Sequence, residues 1–446
     1  MTTPICDFVK KYADSGDLRL HMPGHKGKGF LGVEKYDVTE IAGADVLYLS
    51  DGIIAESQKN AASLFGTAKT LYSTEGSSLS IRAMLYLVSL YARKKGKKAR
   101  VLASRNAHKT FLSGVALLDI DVEWLYPEKS GNMLECRVDA ERLAEIFDGE
   151  GELPAAVYIT SPDYLGNTSD IGKIAKVCHE HGVLLMVDNA HGAYLKFLSE
   201  DKHPITLGAD ICCDSAHKTL PVLTGGAYLH IGECAPAIFC DMAEQAMALF
   251  ASTSPSYLIM QSLDRANLYI SEGYRERLAA LTEKLDALKK KLADKGFSLV
   301  GDEQLKLTVA PKSYGYRGDR LAEMLLAEHI VCEFADPDFT VMMFTPEITD
   351  GEISRLENVL LSIPRREPIA EVAPKPQRAE CAVPIRDAML SLSVEIDIGD
   401  SLDRVLASPT VSCPPAVPIV ISGERIDAHA ISCFEYYGIG KVRVLE

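Results

Sequence analysis

The sequence predicts an α/β fold built on a mainly parallel sheet, and two observations support this. Short apolar runs alternate with helix-compatible stretches from Asn106 to Ile231, which is typical of parallel strands connected by helices. The run Val183–Val187 is too short for a helix and ends at Asp188, so we predict a buried strand there. Because ligands of open α/β sheets bind at the carboxyl ends of strands, Asp188 is a candidate site residue.

The turn Ser73–Ser78 is the first element along the chain with chemical interest, because it precedes the helix-compatible stretch Leu79–Tyr91. Small residues at a helix start leave backbone N–H groups accessible, and the positive end of the helix dipole favours a phosphate. Taken alone, an ordinary serine N-cap is the simpler explanation.

His108 follows the next predicted strand, Arg100–Ala103, within the segment Ser104–Lys109. An imidazole at this place can stack on the ring of a cofactor, or it can be a hydrogen-bonded loop histidine without such a role. The residues around His108 leave both interpretations open. Further strands are predicted at Ala155–Ile159 and Gly226–Ile231.

Asp188 and the later Lys218 together indicate a particular cofactor. Alone, Asp188 is explained as a helix cap or loop acid, and Lys218, in Ser215–Thr219, as a solvated surface lysine. Pyridoxal 5'-phosphate (PLP) requires one group that keeps its pyridine nitrogen protonated and one amine that forms a Schiff base with its aldehyde. An acid at a strand end followed by a lysine among small polar residues matches that requirement.

A long amphipathic helix is predicted from Arg275 to Lys295, where leucines recur at intervals of three and four residues. A dimerising coiled coil is the alternative, but in a mixed fold such a helix more often packs on a domain. We therefore place the start of a small domain here, and it continues through a predicted strand at Phe339–Phe344 and a helix at Asp350–Leu361.

A linker is predicted at Pro364–Glu380, which is rich in Pro, Arg and Glu. Beyond it, the strand-like run Val417–Ile421 and turns at Pro414–Pro415 and Ser422–Gly423 predict a small C-terminal domain. The predicted order is an N-terminal arm (1–35), a large PLP-binding domain (36–274), a small domain (275–363), the linker (364–380) and the C-terminal domain (381–446).

Composition excludes several classes of function. The chain has 446 residues with 47 basic and 62 acidic side chains, and its formal net charge of −15 argues against nucleic acid or anionic membrane as a partner. Residues Met1–Lys11 lack an apolar signal core, and no apolar run approaches the roughly 18 residues of a membrane span. We expect a cytoplasmic protein.

No metal site is predicted. The eleven cysteines are scattered without the spacing of a zinc site, and we expect reduced thiols. Two histidines in His21–Gly27 have a spacing that binds metal on a helix, but Pro23 and Gly24 between them predict a turn instead.

Taken together, the motifs resemble the Orn/Lys/Arg decarboxylase family, in a short form without an extra N-terminal receiver-like domain. The resemblance extends almost from end to end, in the segments His21–Gly27, Asp37–Glu40, Gly52–Ile54, Glu75–Ser78, Arg105–Lys109, Asp188–Gly192, Ser215–Leu220, Ser252–Tyr257, Pro414–Pro418 and Gly423–Glu424. It implies a fold-type-I, aspartate-aminotransferase-like large domain with a small α/β domain and a C-terminal α+β domain.

The resemblance also implies roles for particular residues. Lys218 would bind PLP covalently, Asp188 would pair with the pyridinium nitrogen, and His108 would stack on the ring. The remaining contacts to the phosphate and the ring are expected from Gly76, Ser77, Ser78, Ala190, His191, Ser215 and His217. Ser252 or Thr253 would reach the phosphate of a neighbouring subunit's cofactor, which implies a homodimer or higher homo-oligomer with shared active sites.

The implied reaction is decarboxylation of a basic amino acid to a polyamine-pathway amine, with arginine expected first and lysine or ornithine next. Decarboxylation requires the scissile bond to be held perpendicular to the ring, its carboxylate poorly solvated, and an acid such as Lys218 or a histidine to protonate Cα. Gly225 stands where larger members carry glutamine, and Asp302–Lys306 matches the family only loosely, so substrate choice is open. His21–Gly27 is expected near the substrate entrance.

Two alternatives remain beside the decarboxylase. An aminotransferase or a PLP-dependent aldolase needs the same cofactor anchors. A non-catalytic paralogue would keep the fold and act as a regulatory partner, but intact Lys218 and Asp188 favour an enzyme.

Overall fold

The computed structural model of the chain describes residues 1–127, 132, 134–375, 377–409 and 417–446. The predicted turn at Pro414–Pro415 lies outside these residues. The chain divides into two compact units, each described by itself below. The first comprises Met1–Ala99, Glu150–Val157 and Ile171–Arg277, and the second comprises Arg100–Gly149, Tyr158–Asp170 and Leu278–Glu446.

Helices occur along the whole chain. The α-helices of the described residues are α1 (Pro4–Ala13), α2 (Ile53–Phe65), α3 (Ser77–Lys94), α4 (Lys109–Leu118), α5 (Ala140–Phe147), α6 (Ile171–Glu180), α7 (Ala216–Thr219), α8 (Ala237–Ala248), α9 (Tyr257–Ser271), α10 (Tyr274–Lys295), α11 (Gly318–Ala327), α12 (Asp350–Ser362), α13 (Ile385–Leu390) and α14 (Ala428–Tyr436). Short 3₁₀ helices lie at Glu34–Tyr36, Ala193–Phe197, Pro311–Tyr314 and Ile398–Asp400.

The strands form three sheets. The strands are β1 (Lys69–Ser73), β2 (Arg100–Ser104), β3 (Asp121–Leu125), β4 (Ala156–Thr160), β5 (Leu184–Asp188), β6 (Ile211–Asp214), β7 (Ala227–Ile231), β8 (Ser298–Val300), β9 (Lys306–Ala310), β10 (Phe334–Ala335), β11 (Thr340–Met343), β12 (Ser393–Asp397), β13 (Leu406–Ser408) and β14 (Lys441–Leu445). Their orders are β1-β7-β6-β5-β4-β2-β3, β10-β11-β9-β8 and β12-β14-β13.

In the first unit, the apolar run before Asp188 forms the strand that the sequence predicts. Every residue of β5 is buried, and β5 pairs with β6 in parallel, with Asp188 opposite Cys213. Strand β7 also lies at its predicted place, but it pairs antiparallel with both β6 and β1. The first sheet is therefore mostly parallel, with antiparallel pairing at one edge.

Helix α3 begins immediately after the small-residue turn. Gly76 is its N-cap residue, with a φ angle of +69° that favours glycine, and the helix runs for 18 residues. It buries an apolar face that includes Leu79, Met84 and Leu87. The turn and the helix together explain why the sequence changes from small polar to apolar residues here.

In the second unit, most of α10 matches the predicted amphipathic helix. Its leucines at 278, 281, 285, 288 and 292 are all buried, as a three-and-four spacing requires. Strand β11 and helix α12 also lie within a residue of their predicted places, and a capping box formed by Thr349 and Glu352 fixes the start of α12. The described residues of the predicted linker contain no helix or strand.

The prediction of a strand at Val417–Ile421 is wrong. Pro418 has no N–H to give to a sheet, and its carbonyl oxygen and that of Ile419 accept hydrogen bonds from the Arg105 guanidinium, each at 2.8 Å. The N–H of Ile421 donates to the Glu424 carboxylate at 2.7 Å. The side chains of Arg105 and Glu424 thus provide hydrogen-bond partners for the backbone of this segment, in place of a neighbouring strand. Its Val420 packs in the C-terminal core with Ile426 and Phe434.

Within the described ranges, no helix combines the length and apolar character needed to cross a bilayer.

Candidate active site

The ends of β5 and β6 bring the predicted acid and lysine to one edge of the sheet. Asp188 is the last residue of β5 and is buried. Strand β6 ends at Asp214, and Ser215 then caps the short helix α7, which contains Lys218. Because β5 and β6 are parallel neighbours, the residues that follow both strands lie at the same edge.

The turn after Asp188 reaches Lys218 directly. The Nζ atom of Lys218 lies 3.0 Å from Nε2 of His191. Within the turn, the N–H of Ala190 donates to Oδ1 of Asp188 at 3.2 Å, and the N–H of Gly192 donates to the carbonyl of Asn189 at 2.8 Å. The structure therefore brings Lys218, His191 and the Asp188 segment together in one unit.

A cysteine thiol lies against the Asp188 carboxylate. Sγ of Cys213, directly across the sheet, donates to Oδ1 of Asp188 at 3.6 Å. Burial raises the pKa of the Cys213 thiol, and the nearby Asp188 charge raises it further, so the thiol keeps its proton. The Cys213 thiol thus gives the Asp188 carboxylate a buried hydrogen-bond donor at the strand end.

The turn before α3 is held against the loop that follows α7. The N–H of Gly76 donates to the carbonyl of Gly225 at 2.7 Å, and the Ser73 hydroxyl donates to the carbonyl of Gly76 at 2.8 Å. The Ser215 hydroxyl donates to the Ser77 hydroxyl at 2.9 Å. Gly76, Ser77 and Ser215 thus share the same edge as Lys218.

This arrangement fits PLP. The start of a helix favours anions, because its first N–H groups point out of the helix and lie at the positive end of its dipole, and Ser77 and Ser78 are the first two residues of α3. A Cβ atom built on Gly76 would have only the Ser78 nitrogen within 4.0 Å, so the backbone is open to a close ligand there. A phosphate donor set, a buried acid and a lysine amine are what a phosphorylated pyridine aldehyde requires.

His217 is held by the backbone. Its Nδ1 lies 2.9 Å from the carbonyl oxygen of Gly226, and burial lowers the pKa of the imidazole, so the ring is neutral with Nδ1 as the donor. A phosphate contact from His217 would therefore use Nε2.

Three further predicted residues make other contacts. Ser252 and Thr253 are exposed, and the N–H of Ser252 donates to the Glu75 carboxylate at 2.8 Å. His108 belongs to the second unit, where it is the N-cap of α4 and its Nδ1 accepts a hydrogen bond from the N–H of Thr110 at 3.1 Å. Roles in cofactor binding for these three residues stay predictions.

The segment His21–Gly27 forms a turn, as predicted. Nε2 of His21 contacts the Tyr12 hydroxyl at 2.5 Å, and Nε2 of His25 lies 3.2 Å from Asp37. The two imidazoles thus have separate partners.

Two residues shape the site in ways that the sequence analysis did not predict. Asn189 is fully buried and donates from Nδ2 to Oδ1 of Asp214 at 2.7 Å. Gly225 has a φ of +99°, and a Cβ atom there would lie 2.9 Å from the Thr74 carbonyl oxygen. The Gly225–Gly226 pair was a signal for a close backbone approach, whereas the partner of Asn189 has no signature in the sequence.

Comparison with known proteins gives consistent matches. Residues 3–308 match the family model described as "Orn/Lys/Arg decarboxylase, major domain". The arginine decarboxylase of Bacillus subtilis (strain 168) is 28% identical over 477 residues, covering 96% of this chain and 92% of that protein. The arginine decarboxylase of Halalkalibacterium halodurans is 27% identical over 458 residues, covering 95% and 91%.

Solved structures show the same fold. The lysine decarboxylase of Francisella novicida superimposes with a TM-score of 0.80 at 16% identity, covering 100% of this chain and 81% of that one. Lysine decarboxylase A of Pseudomonas aeruginosa gives 0.81 at 17% identity, covering 98% and 76%. At these identities, the likeness concerns the fold alone.

Proposed function

Because this chain belongs to the Orn/Lys/Arg decarboxylase family and is a PLP-dependent amino acid decarboxylase, we propose that its substrate is a basic amino acid, arginine first. The single observation that carries the PLP-dependent chemistry is the convergence of Lys218, Asp188 and the Gly76–Ser78 turn at one sheet edge. The names of the relatives that match nearly the whole chain favour arginine over lysine and ornithine.

Each residue of the site has a proposed task. Lys218 forms the covalent link to PLP, and the helix start at Ser77 and Ser78, with Ser215, holds the phosphate. Asp188, supported by Cys213 and the N–H of Ala190, holds a proton on the pyridine nitrogen. PLP, when bound, withdraws electrons from the bonds at the substrate Cα, which is what makes loss of carbon dioxide possible.

Proton transfer is assigned to the Lys218–His191 pair. Nζ of Lys218 lies 3.0 Å from Nε2 of His191, so the two groups can exchange a proton. With PLP bound, this pair would be the source of the proton that Cα needs. The family resemblance also implies that His108 would stack on the ring, and this role stays a prediction.

A homodimer with shared active sites completes the proposal. The N-terminal part of the first unit exposes large apolar side chains, among them Leu18, Phe30 and Leu49 at 81%, 94% and 81%. Several large apolar side chains exposed within one stretch of the chain favour an interface there. Ser252 and Thr253 are exposed, and Ser252 bonds to Glu75 in the turn before α3. These two residues would contribute to the partner's site.

We also propose that the protein is located in the cytoplasm and that it forms polyamine-pathway amines. The cysteines of the described ranges are free thiols, as expected in a reducing compartment. Decarboxylation of arginine would give agmatine, that of lysine cadaverine, and that of ornithine putrescine.

The experiment is a side-by-side assay of carbon dioxide release from carboxyl-labelled arginine, lysine and ornithine. We expect a yellow purified protein and the highest kcat/KM with arginine. In Lys218→Ala both colour and turnover are lost, whereas the exposed Lys176→Ala retains them. Formation of a keto acid without carbon dioxide would contradict decarboxylation. A preference for lysine or ornithine would overturn only the choice of arginine as the substrate.

A further inference from the structure

A fully buried cluster of charged and polar side chains lies beneath the proposed site in the first unit. It consists of Asp214 at the end of β6, His203 in the loop before β6, and His230 in β7, each with no exposed surface. Oδ2 of Asp214 lies 3.0 Å from Nε2 of His203 and 3.3 Å from Nε2 of His230. We call these three residues the buried triad.

The triad keeps a negative charge in an apolar place. Burial by itself would raise the pKa of Asp214, but the imidazoles of His203 and His230 lower it below its usual range, so the carboxylate is ionised. Aromatic rings surround the group, with Phe65 packing on both imidazoles and Tyr228 on His230. A protein in which apolar side chains of similar volume replace a buried ion pair is often at least as stable. Fold stability alone therefore does not require the triad.

The triad is connected to the site by Asn189. Nδ2 of Asn189 donates to Oδ1 of Asp214 at 2.7 Å, and the N–H of Asn189 donates to the carbonyl of Cys213 at 3.0 Å. Asn189 directly follows Asp188, and its carbonyl accepts the N–H of Gly192. A Cβ atom on Gly192 would lie 2.0 Å from Oδ1 of Asn189, so the turn closes tightly over this amide.

Asp214 is also connected to the lysine through the chain itself. It is the last residue of β6, and Ser215 follows as the N-cap of the helix that carries Lys218. One carboxylate therefore anchors both halves of the site, through Asn189 on the Asp188 side and through its own backbone on the Lys218 side.

We infer that the buried triad is a positioning unit for the cofactor site, in which Asp214 fixes Asn189 and thereby the distance between Asp188 and Lys218. The inference rests on the proposed function only in so far as the site binds PLP. None of the three residues touches the reacting atoms, so their effect passes entirely through Asp188, His191 and Lys218.

A metal ion is the competing explanation, because the ligand atoms of the three residues lie within 4.8 Å of one another. Both oxygens of Asp214 already have partners, namely His203 and Asn189. Nδ1 of His230 is in hydrogen-bond contact with the Thr70 hydroxyl at 2.8 Å. A structural zinc takes four ligands, and the described residues supply three, so we assign hydrogen bonds and ion pairs instead.

The test compares Asp214→Asn with a matched control, Asp210→Asn. Asp210 is equally buried and is paired with His179 at 3.1 Å, but it does not bond to the turn after Asp188. We expect Asp214→Asn to raise the Kd of the apoprotein for PLP at least about 10-fold and to shift the absorption band of the bound cofactor. Asp210→Asn should change the Kd less than about 3-fold.

Two further variants separate positioning from folding. Asn189→Ala leaves the triad in place and cuts only its link to the site, and it should weaken PLP binding as Asp214→Asn does. His203→Gln keeps an N–H donor for Asp214 and should retain kcat, whereas His203→Leu should lower kcat more than it raises KM. If Asp214→Asn does not fold, Asn189→Ala still tests whether the link between the triad and the site affects PLP binding.

The outcomes are distinguishable. If wild-type protein fails to bind PLP, the proposed function fails. If it binds PLP, but Asp214→Asn and Asn189→Ala have the wild-type Kd and spectrum, only the positioning role fails. The positioning role would also be overturned if Asp210→Asn weakened PLP binding as much as Asp214→Asn does. The same holds if purified wild-type protein contained one equivalent of metal that His203→Gln lacks.

Discussion

Asp188 carries the electrostatic part of the proposed chemistry, because it is a buried acid at the end of the strand beside the one that leads to Lys218. Asp188→Asn removes the charge that holds a proton on the pyridine nitrogen, and keeps the size of the side chain. A hydrogen bond to a charged group contributes about 1.5–3 kcal/mol, so we expect kcat to fall by roughly 10- to 100-fold. Steady-state kinetics with the best substrate measures this.

PLP should remain bound in Asp188→Asn, because Lys218 and the phosphate contacts are intact. The absorption spectrum of the purified variant provides the control. A variant with wild-type kcat would remove Asp188 from the mechanism.

At this scale, the sequence predicted the residues whose chemistry is unusual and missed those that act through ordinary contacts. Asp188 and Lys218 could be proposed as site residues because few reactions need that pair in that order. His203 and Asp214 could not, because their contact depends on how β6 and the preceding loop pack, and nothing in their spacing marks a pair. Asn189 was in a recognised motif, but its partner is set by sheet register.

Among the elements, the loop after α7 depends on glycine at 225. Its φ of +99° and a Cβ contact of 2.9 Å with the Thr74 carbonyl both oppose a side chain. Gly225→Ala should therefore displace the hydrogen bond from Gly76 and weaken PLP binding, and lower the unfolding free energy by about 2 kcal/mol or more. PLP titration and thermal unfolding measure the two effects.

Gly182→Ala is the matched control for this substitution. Gly182 has a φ of +68° but nothing within 4 Å of its Cβ position, so it tests backbone strain without a collision. We expect a loss of about 1 kcal/mol and unchanged PLP binding. Equal effects of both variants on PLP binding would contradict the account of Gly225.

The turn between β10 and β11 predicts a pH effect on stability. Burial raises the pKa of Asp336 from its ordinary value of 3.8 to about 7, although its carboxylate accepts N–H groups of Asp338 and Phe339. The folded chain therefore binds a proton at this site that the unfolded chain has lost between about pH 4 and 7, so the stability of the wild type falls as pH rises through that range.

Asp336→Asn removes the titrating group and keeps an oxygen acceptor. The variant should be more stable than wild type at pH 8, by on the order of 2 kcal/mol, and the difference should vanish near pH 4. Thermal unfolding across this pH range measures it, with the exposed Asp294→Asn as control. A difference that does not change with pH would contradict the raised pKa.

The elements themselves were predicted where apolar periodicity and sharp boundaries coincide, as in β5, α10 and α12. Val417–Ile421 failed because an apolar run bounded by turns does not reveal whether backbone or side chains satisfy its polar groups; Arg105 and Glu424 decide that here. The antiparallel pairing of β7 could not be predicted from a sequence pattern either, since strand direction depends on the path of the connecting loop.

For the whole molecule, the proposed sharing of sites between subunits predicts complementation. Lys218→Ala and a Ser252→Ala/Thr253→Ala double variant are each expected to be poorly active alone. If residues 252 and 253 act in the partner's site, half of the dimers in an equal, randomised mixture carry one intact site. The mixture should then regain about a quarter of wild-type activity.

The control for this experiment is a mixture that has not been allowed to exchange subunits. It should show only the summed activity of the two variants. The same low activity after exchange would show that Ser252 and Thr253 act within their own chain, and full activity of the double variant alone would show that they have no role.

The central claim is that the Lys218 amine forms a covalent link to PLP beside Asp188. The most direct measurement is borohydride reduction of the yellow protein, followed by proteolysis and mass spectrometry of the peptides. The account predicts one pyridoxyl phosphate adduct per chain, located on Lys218. An adduct on another lysine, or none in protein that still releases carbon dioxide from arginine, would contradict it.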